Sequence, residues 1–176
     1  ELRTSDGAAP ISWKMIGLHN VQNLLAAVGA VVAVGVPLKK ILLKIRDFPG
    51  VPGRLERVDD GDPCPIFVDY AHTDSALETV LRYLKKLPHS KLITVIGCGG
   101  DRDKTKRGPM GIAACDFSDL AIITSDNPRT EDPLAIIADI ENGLKAANRS
   151  NFKIQPDRKA AIEEAVRLAG PNAIVL

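Results

Sequence analysis

Two rhythms of apolar and polar positions divide this chain. In the first fifty residues the apolar positions gather into one dense run of about fifteen, Leu24 to Leu38, rich in Ala and Gly. That run is shorter than the roughly 20 residues a membrane span needs, and it predicts a helix buried in protein. A short polar start precedes it, Gly17-Leu18-His19-Asn20 leads into it, and the predicted helix extends to about Gly35. Pro37 opens a second helix, roughly Leu38 to Arg46. Phe48-Pro49-Gly50-Val51-Pro52-Gly53 is the strongest linker signal in the sequence and sets a domain boundary near residue 50, between 1–50 and 51–176.

Beyond it, short apolar runs alternate with helical periodicity. Strands are predicted at Pro65–Tyr70, Leu92–Ile96, Leu120–Thr124, Phe152–Gln155 and Ala173–Leu176. Between them lie helices at Thr73–Leu87, about Lys106–Asp116, Asp132 to about Ala147, and about Asp157–Ala169. In the first of these, Leu77, Val80, Leu81, Leu84 and Leu87 share a face, and Ser75 and Glu78 have capping-box spacing. Asp132-Pro133 pairs an N-cap with proline at the first helical position. Gly170-Pro171 stops the last helix. Strands apolar on both faces, alternating with helices, predict an α/β fold: a Rossmann-like, mostly parallel sheet with helices on both sides.

Composition narrows the class without choosing a function. Of 176 residues 45% are apolar and 26% charged, as in ordinary globular proteins. With 23 basic and 22 acidic residues the net charge is +1, which argues against a nucleic-acid partner. No secretory leader is recognisable at Glu1–Ser5 and no run is long enough to span a membrane, so a cytoplasmic protein is expected. Cys64, Cys98 and Cys115 form no CxxC pair and read as small core residues in a reducing compartment.

In sheets of this kind ligands bind at the carboxyl ends of the strands. Three polar clusters sit there: Asp69-Tyr70-Ala71-His72, the stretch Gly97-Cys98-Gly99-Gly100-Asp101-Arg102-Asp103-Lys104, and Ser125-Asp126-Asn127-Pro128-Arg129. Each alone has a plainer reading. The glycines fit a tight turn, Asp69 a helix cap, His72 a packed or surface histidine. Asp126 fits a turn, Arg129 a surface partner of Glu131, and Asp101–Arg107 a solvated loop. The glycine spacing is not the GxGxxG of a dinucleotide site, which disfavours an oxidoreductase.

Together these clusters resemble the Mur ligases, specifically the MurE type. The resemblance runs through Gly17-Leu-His-Asn20 with Asn23, Pro52-Gly-Arg-Leu-Glu56, Asp69-Tyr-Ala-His-Thr73, Gly99-Gly-Asp-Arg-Asp-Lys104 and Asp126-Asn-Pro-Arg129, in the family's order. It implies that residues 1–50 are the helical end of a central ATPase domain, and 51–176 most of a C-terminal amino-acid-binding domain. ATP contacts are then expected from His19, Asn20, Asn23, Arg54, Asp69 and His72. The P-loop lysine and Mg2+ ligands are expected upstream of Glu1.

The resemblance further implies ATP-driven addition of meso-diaminopimelate to UDP-N-acetylmuramoyl-L-alanyl-D-glutamate by a monomer. Its small-molecule partners are those two substrates and ATP, with no membrane or nucleic acid involved. Asp126, Asn127, Pro128 and Arg129 match the motif for the amino acid's distal end. Arg129 suits its carboxylate, because a guanidinium pairs with carboxylate in a fork. Arg102 matches the residue that holds a carboxylate of the same amino acid. Alternatives are an L-lysine-adding relative and a non-catalytic protein that kept the ligase fold. The sequence departs from the family pattern at Gly108-Pro109 and Asp74. The family's Gly-Lys-Gly-His-Glu stretch, expected after the last strand, is absent before Leu176. The chain is thus expected to be cut at both ends and inactive alone.

Overall fold

The structure, a computed structural model, describes residues 1–13, 15–58 and 64–176. Its contacts divide the chain into two compact units, Glu1–Glu56 and Arg57–Leu176.

The first unit opens with a feature hidden in the polar start. β1 (Leu2–Thr4) and β2 (Gly7–Ala9) form an antiparallel hairpin in which Leu2 faces Ala9. Three-residue strands are too short to show alternation in sequence. α1 (Leu18–Ala33) and α2 (Leu38–Arg46) follow. Leu2, Leu24, Val28, Leu38, Ile41 and Ile45 make the core of this unit. The long apolar helix is buried along one stripe only: Leu24 and Val28 are inside, whereas Leu25 and Val31 are exposed. A unit of this size has too little chain to cover both faces of a 16-residue helix.

The second unit begins with a short ribbon, β3 (Glu56–Arg57) against β4 (Phe67–Val68). Its centre is a parallel sheet of four strands: β5 (Leu92–Ile96), β6 (Leu120–Ile123), β7 (Phe152–Ile154) and β8 (Ile174–Val175), in the order β7-β6-β5-β8. The predicted strand over 65–70 is only partly realised. Ile66 makes a single parallel bridge to Val175, and Phe67–Val68 turns away to pair with β3.

The helices are α3 (Asp74–Leu84), α4 (Arg107–Phe117, after a 3-10 turn at Lys104–Lys106), α5 (Pro133–Ala146) and α6 (Arg158–Ala169). α6 covers one face of the sheet, where Ala161, Ala165 and Ala169 pack on Ile93, Ile122 and Val175. Neighbouring strand positions point the other way. There Thr94 shares a buried hydroxyl contact of 2.6 Å with Ser118, which follows α4. α4 and α5 approach each other through glycines: a Cβ added at Gly143 would lie 2.5 Å from the Gly108 Cα. Gly143 is thus the residue this close approach requires, whereas a Cβ on Gly108, a departure from the family pattern, would lie 3.3 Å from the Gly143 Cα.

Two helix limits differ from the sequence reading. α3 ends at Leu84 rather than Leu87, and its cap is Thr73, whose hydroxyl accepts from the Ala76 N–H at 3.2 Å. Ser75 lies inside the helix, so the Ser75–Glu78 spacing is not a capping box. Cys98 and Cys115 are buried, and burial pushes both thiols up to about 11. Cys64 is only half-buried at the edge of the core.

Candidate functional site

β5 has neighbours on both sides, β6 reached through α4 and β8 reached last. In open α/β sheets ligands bind at the carboxyl ends of the strands. Two of the polar clusters are the adjoining loops at that end, one after β5 and one after β6.

These loops touch through their backbones. The Gly100 N–H donates to the Asn127 carbonyl at 2.9 Å. A Cβ on Gly100 would lie 1.8 Å from the Pro128 carbonyl oxygen, so only glycine fits. In these two loops a pair of non-glycine residues adopts the left-handed conformation: Asp101 with φ 52° and Arg129 with φ 50°. Such residues are uncommon and concentrate at functional sites. Asn127 prepares the second of them: its Oδ1 accepts from the Arg129 N–H at 3.3 Å in an Asx-type turn. The Arg129 guanidinium then folds back so that Nη1 donates to the Gly100 carbonyl.

Arg102 is exposed, and among the described residues its side chain makes no hydrogen bond or ion pair. Its fork of donors is open to an anion. Asp126 is exposed beside Gly97, whose added Cβ would meet the Asp126 Cβ at 3.0 Å. Arg102, Asp126, Asn127, Pro128 and Arg129 thus all lie on two adjoining loops.

The plainer reading of Arg129 as a surface partner of Glu131 is not met among the described residues. Glu131 instead receives Arg107 Nη2 at 2.7 Å, the Asp101 N–H at 2.6 Å and Lys104 at 3.3 Å. Arg107 also donates Nη1 to Asp139 at 2.7 Å, and only 2% of its side chain is exposed. The sequence reading missed Arg107 and Glu131. A signal exists: Arg107, Met110, Gly111 and Ala114 share one face of α4, and an arginine on an apolar face implies a buried partner.

The hydrogen bond from Arg107, aided by the Asp101 N–H and Lys104, holds the Glu131 carboxyl down at about 2, below its ordinary 4.5. A depressed carboxyl stabilises the fold in its charged form. That contribution is complete above about pH 4.5 and is lost as pH falls toward about 2. Urea titrations of wild type and Glu131→Gln should therefore differ by a constant amount above about pH 5, and the difference should shrink between about pH 4.5 and 2.

The expected ATP contacts fall in both units. In the first, Asn20, Asn23 and Arg54 line one cavity of about 620 Å³, whose walls include Trp13, Leu24 and Phe48. Asn20 is fully buried; its Nδ2 donates to the Ile16 carbonyl at 2.7 Å and to the Arg54 carbonyl at 3.4 Å. Its Oδ1 is buried without a hydrogen-bond partner among the described residues. Asn23 is exposed, and His19 is half-buried outside the cavity lining. In the second unit Asp69 accepts from the Ala71 N–H at 2.8 Å and so shapes the turn after β4. His72 is exposed, its ring edge-on to Tyr70 with centroids 5.3 Å apart.

The family described as Mur ligase, glutamate ligase domain, matches residues 53–176. The chain belongs to the Mur ligases. Among these ligases, the UDP-N-acetylmuramoyl-L-alanyl-D-glutamate--2,6-diaminopimelate ligase of Synechococcus elongatus is 48% identical over 99% of this chain and 35% of its own length. The protein of the same name from Streptomyces coelicolor is 50% identical over 92% of this chain and 33% of its own. A solved Mur ligase structure titled as that same enzyme is 38% identical, with a TM-score of 0.66 over 98% of this chain and 35% of that one. The chain therefore spans about a third of the length of these relatives.

Proposed function

We propose that this chain is the amino-acid-binding third of an ATP-dependent ligase that joins meso-diaminopimelate to UDP-N-acetylmuramoyl-L-alanyl-D-glutamate. The observation that carries the reading is the pair of adjoining loops presenting Arg102 and Arg129 at the carboxyl end of β5 and β6. Diaminopimelate has an ammonium and a carboxylate at each end. Two separate guanidinium forks suit two carboxylates, and the exposed Asp126 carboxylate suits an ammonium.

In the proposed reaction ATP gives its γ-phosphoryl group to the glutamate carboxylate, forming an acyl phosphate and ADP. The amine of diaminopimelate attacks the acyl carbon, the C–N bond forms, and phosphate leaves with the C–O bond electrons. The residues of this chain contribute position and charge, as is general in phosphoryl transfer. Arg102 and Arg129 fix the amino acid so that one amine faces the acyl group. His19, Asn23, Arg54, Asp69 and His72 are assigned to ATP. Asn20, being buried, serves the nucleotide by holding the Arg54 segment to the start of α1. Among the described residues no three His, Cys, Asp or Glu side chains converge as a metal cage. No described helix is long and apolar enough to cross a membrane. By its likeness to the family we further place the ligase in the cytoplasm as a monomer.

The test is amino-acid-dependent phosphate release by the ligase that contains this chain. Release should be much faster with meso-diaminopimelate than with L-lysine, and the 176-residue chain alone should release none. Equal rates with the two amino acids would reject the assignment.

A further inference from the structure

Arg107 sits at the start of α4 on the face carrying Met110, Gly111 and Ala114. An apolar side chain would pack there at less cost, because the Arg107 Nε is buried without a hydrogen-bond partner among the described residues. What an apolar residue cannot supply is the pair of bonds the guanidinium makes. Nη2 reaches Glu131 in the loop after β6, and Nη1 reaches Asp139 on α5, each at 2.7 Å. The same Glu131 oxygen that receives Arg107 also receives the Asp101 N–H at 2.6 Å. Asp101 answers across the gap, its carboxylate accepting from the Thr130 hydroxyl at 2.7 Å and the Thr130 N–H at 3.3 Å.

The residues so cross-linked are the immediate neighbours of the two ligand-facing arginines. Asp101 precedes Arg102, and Thr130 follows Arg129. The left-handed conformations of Asp101 and Arg129 lie inside this cross-link. We infer that Arg107 and Glu131 are a positioning pair that fixes the separation of the Arg102 and Arg129 guanidinia, and through it the fit of the amino acid. The inference rests on the proposed binding of diaminopimelate to those arginines.

The experiment uses Arg107→Met, which keeps the bulk, Arg107→Lys, which keeps the charge but not the fork, and Glu131→Gln, which keeps an acceptor. Steady-state KM for diaminopimelate, ATP and the UDP-sugar peptide is measured separately in the ligase. Amide hydrogen exchange at Asp101 and Thr130 is measured in this chain. Arg107→Met should raise KM for diaminopimelate about tenfold or more while KM for ATP stays within about twofold. Arg107→Lys and Glu131→Gln should fall between it and wild type. Exchange at Asp101 and Thr130 should quicken while the amides of β5 and β6 keep their protection.

Unchanged exchange at Asp101 overturns the inference, as does a parallel rise in every KM with general loss of protection, which would mark a pair that only stabilises the fold. Should Arg107→Met not fold, the Lys and Gln variants carry the same test. A wild-type ligase that rejects diaminopimelate would sink the functional reading, and the exchange measurements would still decide whether the loops are coupled.

Discussion

Replacing Arg129 by alanine should cut kcat/KM for meso-diaminopimelate about 100-fold and leave the slow reaction with L-lysine nearly unchanged. On the proposed binding, the carboxylate that distinguishes the two amino acids loses its fork of donors in this variant, and a charge-assisted hydrogen bond contributes about 1.5–3 kcal/mol. Arg129→Lys should recover only part of the loss, because an ammonium offers a point charge without the planar pair of donors. The fold should survive both changes, since Arg129 is exposed and its described side-chain bond is the one to the Gly100 carbonyl. The measurement is phosphate release with each amino acid in turn. A variant that loses both activities equally would show Arg129 to act on something common to the two substrates, and would remove it from the selectivity site.

The second large effect is expected at Gly100. An alanine Cβ would fall 1.8 Å from the Pro128 carbonyl oxygen and 2.6 Å from its carbonyl carbon. Both are backbone atoms, so one loop must move. Movement breaks the Gly100–Asn127 bond and the grip of Arg129 on the Gly100 carbonyl. Gly100→Ala should cost about 2–4 kcal/mol of stability, or roughly 5–15 °C in Tm for a chain of this size, together with most diaminopimelate-dependent turnover. Gly99→Ala is the comparison. Its Cβ would meet the end of the Arg129 side chain at 3.0 Å, a group free to swing aside. That variant should melt close to wild type and weaken diaminopimelate use selectively. If Gly100→Ala also melts like wild type, the two loops are not packed as closely as described.

Much of the second unit was legible in its sequence, because β5 and β6 are short, apolar on both faces and bounded by polar turns. Asp132-Pro133 announced α5, and the Asp132 carboxylate does accept from the Leu134 N–H at 2.9 Å. The ribbon of β3 and β4 was not legible, since two-residue strands carry no periodicity. The helix start at Thr73 was misread because Thr, Asp and Ser in succession all favour caps, and the backbone decides which one serves.

The site was legible as motifs but not as geometry. Arg102 and Arg129 could be named from the sequence, whereas the ion pair of Arg107 and Glu131 joins residues of opposite charge 24 positions apart, where no local rule reaches. Asn20 shows the reverse limit. Its spacing from Asn23 predicted a shared face, and both do line one cavity, but spacing does not show that one is fully buried and the other exposed. The hydrogen bond from Asn20 to the Arg54 carbonyl joins residues too far apart in sequence for any local rule to show it.

The cross-link between the two loops also sets the size of the piece that would have to be moved together in redesign. The loop after β6 is tethered at one end by a parallel strand and at the other by the Asp132 cap, so it resembles an exchangeable cassette. Swapping Asp126–Arg129 alone would leave Thr130 and Glu131 bonded to Asp101 and Arg107 with the new residues hung between fixed posts. A transplant of amino-acid selectivity into another ligase of this fold should therefore carry the stretch through Glu131 and bring Asp101 and Arg107 with it.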